Sequence, residues 1–154
     1  MYDRMSALPG GRRMFSWMLG RRVPYAGSIR PQILEVEAGR ARVRMPDRRA
    51  IRNHLGSVHA SALGNLGELA ANLAISASQP DEGRWIVERM AIEYLHKARG
   101  PIVAQGRAPT IDWTIEGEVL GEFELADEQG RTVARGQVGW KVGPRPAKRA
   151  AVAA

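Results

Sequence analysis

Glu68 is the only formally charged side chain between His54 and Pro80, in a chain of 154 residues with net charge +7. Burying a lone carboxylate in so apolar a run costs several kcal/mol unless it is paired, hydrogen-bonded or protonated, which marks Glu68 as the leading candidate for chemistry. Nine residues earlier stands His59, followed by Ala60, near the expected start of the helix that the apolar run forms. The start of a helix exposes unpaired N–H groups at the positive end of its dipole, so the Ala60 amide is placed to stabilise an oxyanion. Glu68 would then be the base that activates water, or the nucleophile itself.

Those residues need an element to hold them. Alanine and leucine dominate the run, which predicts a helix from about 58 to 77 with Ser57 capping its first turn. Ser61, Asn65, Glu68 and Asn72 follow one another at spacings of four, three and four and form one narrow polar stripe. The remaining surface is apolar, so the helix is expected to be buried over most of its circumference. Gly64 and Gly67 lower its propensity and are expected to admit another backbone closely. The rise from residue 59 to residue 68 is about 13 Å, too far for one helix to offer both groups to one carbonyl.

Around the helix the periodicity is that of strands. Residues 32 to 46 read as a hairpin turning at Gly39, with Leu34, Val36 and Ala38 on one face of the first strand and Ala41, Val43 and Met45 on one face of the second. Glu35 and Glu37 then oppose Arg40, Arg42 and Arg44. Beyond Pro80-Asp81-Glu82-Gly83, strands are predicted at 84–95, 102–115, 117–126 and 131–142, the last two joined by a turn at Asp127 to Gly130. Hairpin, one long helix and four antiparallel strands make an α+β arrangement in which a sheet covers a single helix. The segment 1–27 carries Arg12-Arg13 before a short apolar stretch that Gly20, Arg21 and Arg22 interrupt, which predicts a short amphipathic helix docked on the domain. Residues 144–154 are expected to be a mobile basic tail.

Composition narrows the classes. The absence of cysteine removes disulfides, thiolate metal sites and thiol nucleophiles, and fits a cytoplasmic protein. The arginines and lysines are scattered, without a groove of interleaved aromatics, so nucleic acid is not the expected partner. No stretch of about 20 apolar residues is present, so no membrane partner is expected either. The histidines lack the HExxH arrangement, and neither a phosphate-binding glycine loop nor a GxSxG elbow occurs. Trp17, Trp85, Trp113 and Trp140 are expected in the core or at a subunit contact. Arg84, Arg89, Lys97 and Arg99 are expected on a solvated face, with contact to an anionic ligand as the alternative.

The string Asn53-His54-Leu55-Gly56-Ser57-Val58-His59, with Glu68 nine residues on, resembles the loop and central helix of hotdog-fold acyl-CoA thioesterases of the phenylacetyl-CoA and 4-hydroxybenzoyl-CoA type. The resemblance spans residues 28–143 in element order, and Asn-His-x-Gly-x-x-His-Ala is similar to a bacterial subgroup of largely unassigned activity. It implies a hotdog domain of about five to six strands wrapped on one long central helix. It also implies hydrolysis of an acyl-CoA or related thioester without metal or other cofactor, with Asn53, His59 and Glu68 as site residues and the Ala60 N–H as oxyanion donor. A water between Glu68 and Asn53 would complete the set. In that family the helix start comes from one subunit and the carboxylate from its partner, which implies a homodimer, with a dimer of dimers as a further possibility. His59-Ala60-Ser61 replaces the family's His-Gly-Gly, Glu68 replaces an aspartate, and Val87 stands where some members have a Ser or Thr. The alternative is a hotdog dimer that binds an acyl-CoA or lipid-like ligand without cleaving it. A hotdog hydratase is disfavoured, because Asp47 and His54 do not reproduce the spacing that it requires.

Overall fold

The computed structural model describes residues 9–146. Its elements are helix α1 (Gly11–Arg22), the single turn α2 (Pro24–Gly27), strands β1 (Gln32–Glu37) and β2 (Arg40–Met45), and a 3₁₀ turn at Arg49–Ile51. Helix α3 (Ala60–Ser78) follows, then β3 (Gly83–Tyr94), β4 (Ile102–Arg107), β5 (Gly117–Ala126) and β6 (Thr132–Pro144). The strands form one antiparallel sheet in the order β1-β2-β4-β5-β6-β3, which curls around α3. This is the expected α+β architecture, with six strands. None of the helices described is long and apolar enough to cross a membrane.

The expected hairpin forms, and Glu35 pairs with Arg42 at 3.7 Å across it. Its inner face differs from the simple alternation: a bulge between Ile33 and Glu35 puts Ile33 and Val36 in the core and leaves Leu34 only half-buried. Alternation is recovered on β2, where Ala41, Val43 and Met45 are all buried.

Helix α3 is the centre of the core because its sequence offers little else to do with its surface. Leu66, Ala70, Ala71, Ala74 and Ile75 are completely buried against the inner faces of the sheet. Full burial of a leucine such as Leu66 contributes roughly 1.5–3 kcal/mol. Two small-residue contacts set the depth at which the helix lies. A Cβ at Gly106 on β4 would collide with the backbone of Ala70 and Ala71, and one at Gly67 would strike the Phe123 ring. Backbone therefore approaches the helix from the Gly106 side, whereas the expected site of such an approach, Gly67, receives an aromatic side chain and Gly64 merely touches Met90.

Three element boundaries depart from expectation. The helix begins at Ala60, two residues late, because His59 and not Ser57 is its cap. β4 ends at Arg107 instead of 115: Pro109 lacks the N–H a ladder needs, and Asp112 then accepts from the Thr114 N–H and hydroxyl in a local turn. β6 runs on to Pro144, past the expected end at 142. The expected turn at Asp127 to Gly130 is present, with Asp127 Oδ1 accepting from the N–H groups of Gln129 and Arg131. Most of the expected mobile tail, residues 147–154, lies outside the described residues.

Helix α1 lies against the domain. Phe15 and Leu19 pack against the core, while the Ser16 hydroxyl accepts from the Ile33 N–H at 2.9 Å and so fastens the helix to β1. Of the tryptophans, Trp140 is fully buried, Trp85 and Trp113 are partly buried, and Trp17 is 61% exposed.

Candidate active site

The loop that delivers His59 and Ala60 is fixed by local hydrogen bonds. Asp47 and Arg52 form a two-point ion pair at 2.9 and 2.5 Å, and the guanidinium holds that carboxyl below its ordinary range. Asn53 Oδ1 accepts from the N–H groups of Leu55 and Ser57 and from the Ser57 hydroxyl, while its Nδ2 donates back to Ser57 Oγ. The tight turn passes through Gly56 at φ 72°, a left-handed conformation that glycine adopts without steric cost. The Val58 N–H then donates to the Ala98 carbonyl at 2.9 Å and the His59 N–H to the Ile51 carbonyl at 2.8 Å.

At the helix start, His59 Nδ1 accepts from the Ser61 N–H at 3.1 Å. The N–H groups of Ala62 and Leu63 both donate to the His59 carbonyl. That leaves the Ala60 N–H without a hydrogen bond among the described residues, on an exposed turn. The Tyr94 hydroxyl at the end of β3 donates to the Ala60 carbonyl at 3.2 Å, pinning the opposite side of the same residue.

Farther along, the polar stripe is tied into the fold. Asn65 is buried and donates to the Tyr25 carbonyl on α2 at 3.0 Å. Asn72 Oδ1 accepts from the Trp140 indole N–H at 2.8 Å, and its Nδ2 donates to Glu68 Oε1 at 3.3 Å. Glu68 is half-buried and makes no ion pair among the described residues. The Trp140–Asn72–Glu68 relay and the Tyr94 contact are not among the site features expected from sequence, which places Trp140 in the core or at a subunit contact. The signal was there in part, since Asn72 already lay on the stripe.

The site residues expected from sequence thus fall into two groups. Asn53, His59 and Ala60 are gathered by the loop and helix start, and Glu68 stands two and a half turns away with no hydrogen bond to any of them. The first group offers a donor to a developing negative charge and the second offers a carboxylate held as an acceptor. Among the described residues no three His, Asp or Glu side chains gather to hold a metal. Arg84 pairs with Glu116 and Arg89 lies 3.8 Å from Glu118, so these two belong to the charged outer face.

Comparison with known proteins follows the same outline. Residues 11–142 match a family model described as a domain of unknown function (DUF4442). Among solved structures, the genomics target APC5556 is 36% identical, with a TM-score of 0.81 over 92% of this chain and 95% of that one. A Pseudomonas aeruginosa protein of unknown function, PA5026, described as a probable thioesterase, is 24% identical with a TM-score of 0.73 over 90% and 97%. Thioesterase HI1161 from Haemophilus influenzae is 12% identical with a TM-score of 0.71 over 82% and 87%. The shared fold is the hotdog fold expected from the sequence. No curated protein matches the chain.

Proposed function

Since the chain belongs to the family described as a domain of unknown function (DUF4442), we propose that it is a hotdog thioester hydrolase acting on acyl-CoA or a related thioester. The observation that carries the reading is the unpartnered, exposed Ala60 N–H at the mouth of a buried 19-residue helix whose one carboxylate, Glu68, is held as an acceptor. The names of the structural neighbours PA5026 and HI1161 support it. In the proposed reaction the thioester carbonyl oxygen receives the Ala60 N–H as it becomes an oxyanion, and Glu68 takes the proton of an attacking water or attacks the carbonyl itself. On the first route, collapse of the tetrahedral adduct breaks the C–S bond and the thiolate takes the proton held by Glu68; on the second, collapse leaves an acyl–Glu68 anhydride that a water then hydrolyses, with the thiolate taking a proton from that water. His59 and Asn53 hold the helix start and its loop in place around that donor.

Two copies of the chain complete the proposed site, because about 13 Å of helix separates donor and base within one copy. The reading is supported by β3, a 12-residue strand at the sheet margin that exposes Ile86, Met90 and Tyr94 at 62%, 41% and 48%. An edge of that length and apolar character favours pairing with a second copy. The absence of cysteine favours the cytoplasm as its setting.

The test is thiol release from short, medium, long and aryl acyl-CoAs by wild type and Glu68→Gln in parallel. Gln keeps an oxygen for Asn72, so the fold is preserved while turnover drops by about 100-fold or more. Undiminished hydrolysis by the variant sinks the assignment. A second reading, an acyl-CoA-binding dimer without hydrolysis, draws on the commitment of Asn53 to its own loop, which leaves its carbonyl oxygen no free role with a water. Acyl-CoA binding with no thiol release decides for it.

A further inference from the structure

Seven arginines make ion pairs among the described residues, on the hairpin, the loop before α3, the outer face of the sheet and the β5–β6 turn. Of the arginines that make none, four share one cleft. Arg12, Arg13, Arg21 and Arg30 line this cleft of about 630 Å³ between α1, the end of α2 and the start of β1, and no carboxylate among the described residues lines it. Trp17 forms part of its wall, with the Arg21 guanidinium over the indole at 5.0 Å from the ring centroid.

The cleft is built rigidly. Gly27 packs so closely on Gly20 that a Cβ there would collide with the Gly20 backbone, which locks α2 to α1. Ser16 fastens α1 to β1 on the other side. Arg30 is the only non-glycine residue described with positive φ, at 51°, and its N–H is held by the Gly27 carbonyl at 2.9 Å. It also faces a like charge: burial, followed by the nearby Arg30, lowers the pKa of Arg48. Four arginines lining one cleft, with no acid among its described lining residues, suit an anion with several oxygens, and planar guanidinium forks match phosphate in particular.

We propose that this cleft binds a phosphate-bearing ligand, the phosphorylated end of a soluble thiol carrier whose thioester reacts at the Glu68 site. The proposal rests on the hydrolase reading above. α2 joins the two regions, since its Tyr25 carbonyl holds Asn65 on the polar stripe while its Gly27 lines the cleft. The source of the phosphate is a soluble carrier and not a lipid surface, because the guanidiniums line a recess and one of them is drawn onto Trp17.

The experiment titrates wild type and an Arg13→Ala/Arg21→Ala variant with adenosine 3′,5′-bisphosphate by calorimetry, with thermal melts to verify folding. Both arginines are exposed, so the variant is expected to melt with wild type. Wild type binds saturably and the variant about tenfold or more weaker, since two charge-assisted contacts are lost. In the same variant KM for acyl-CoA rises by a similar factor with kcat unchanged, whereas the phosphate-free acyl N-acetylcysteamine thioester is cleaved alike by both proteins. Absence of saturable binding, or equal affinities, overturns the proposal. Sedimentation with phosphatidylglycerol vesicles by a protein that ignores the bisphosphate overturns it too and assigns the arginines to a membrane surface. If no thioester is cleaved but arginine-dependent bisphosphate binding persists, the hydrolase reading fails while the phosphate site stands.

Discussion

Asn72 shows how a buried indole can orient a carboxylate it does not touch. The Trp140 N–H is a donor only, so it claims the amide oxygen of Asn72 and forces the amide nitrogen toward Glu68. Glu68 therefore meets a donor that fixes one of its carboxyl oxygens as an acceptor. Asn72 is a positioning residue in the proposed reaction. Replacing it by Ala is expected to lower kcat about tenfold, the worth of one charge-assisted hydrogen bond, with KM nearly unchanged. A purely structural role would instead lower the melting temperature and leave kcat intact in the folded fraction.

At the scale of elements, the depth of α3 in the sheet depends on Gly106. Gly106→Ala forces either β4 or the helix to move, and over-packing of that kind costs about 1–3 kcal/mol. A melting temperature several degrees below wild type is expected; an unchanged melt would show that the sheet yields freely there. The elements themselves were legible where pattern and burial coincide: the helix with its single charge, the β1–β2 hairpin and the β5–β6 hairpin all follow from periodicity. What escaped was local competition. His59 displaced Ser57 as cap because Asn53 had already engaged the Ser57 N–H and hydroxyl, and the bulge at Ile33 is a backbone event with no residue type that announces it. The helix-start residues and Glu68 were readable from types and spacing, whereas the Trp140 and Tyr94 contacts join residues 68 and 34 positions apart and depend on the closed sheet.

For the whole molecule, the exposed margin of β3 makes assembly part of the proposed chemistry. Met90→Glu places a charge on that margin beside Gly64 and is expected to give a monomer by light scattering, folded by circular dichroism and inactive on any thioester wild type cleaves. A monomer with full activity would show that one chain suffices. The strand order also has a temporal side. Among the described strands β3 pairs only with β6, which begins 38 residues after β3 ends. As the chain leaves the ribosome from its amino end, α3 follows β1 and β2 but precedes β4 and β5, and β3 precedes its partner β6. A helix with one charge and a strand with an apolar rim thus spend part of synthesis incompletely covered, the condition in which chaperones bear on yield.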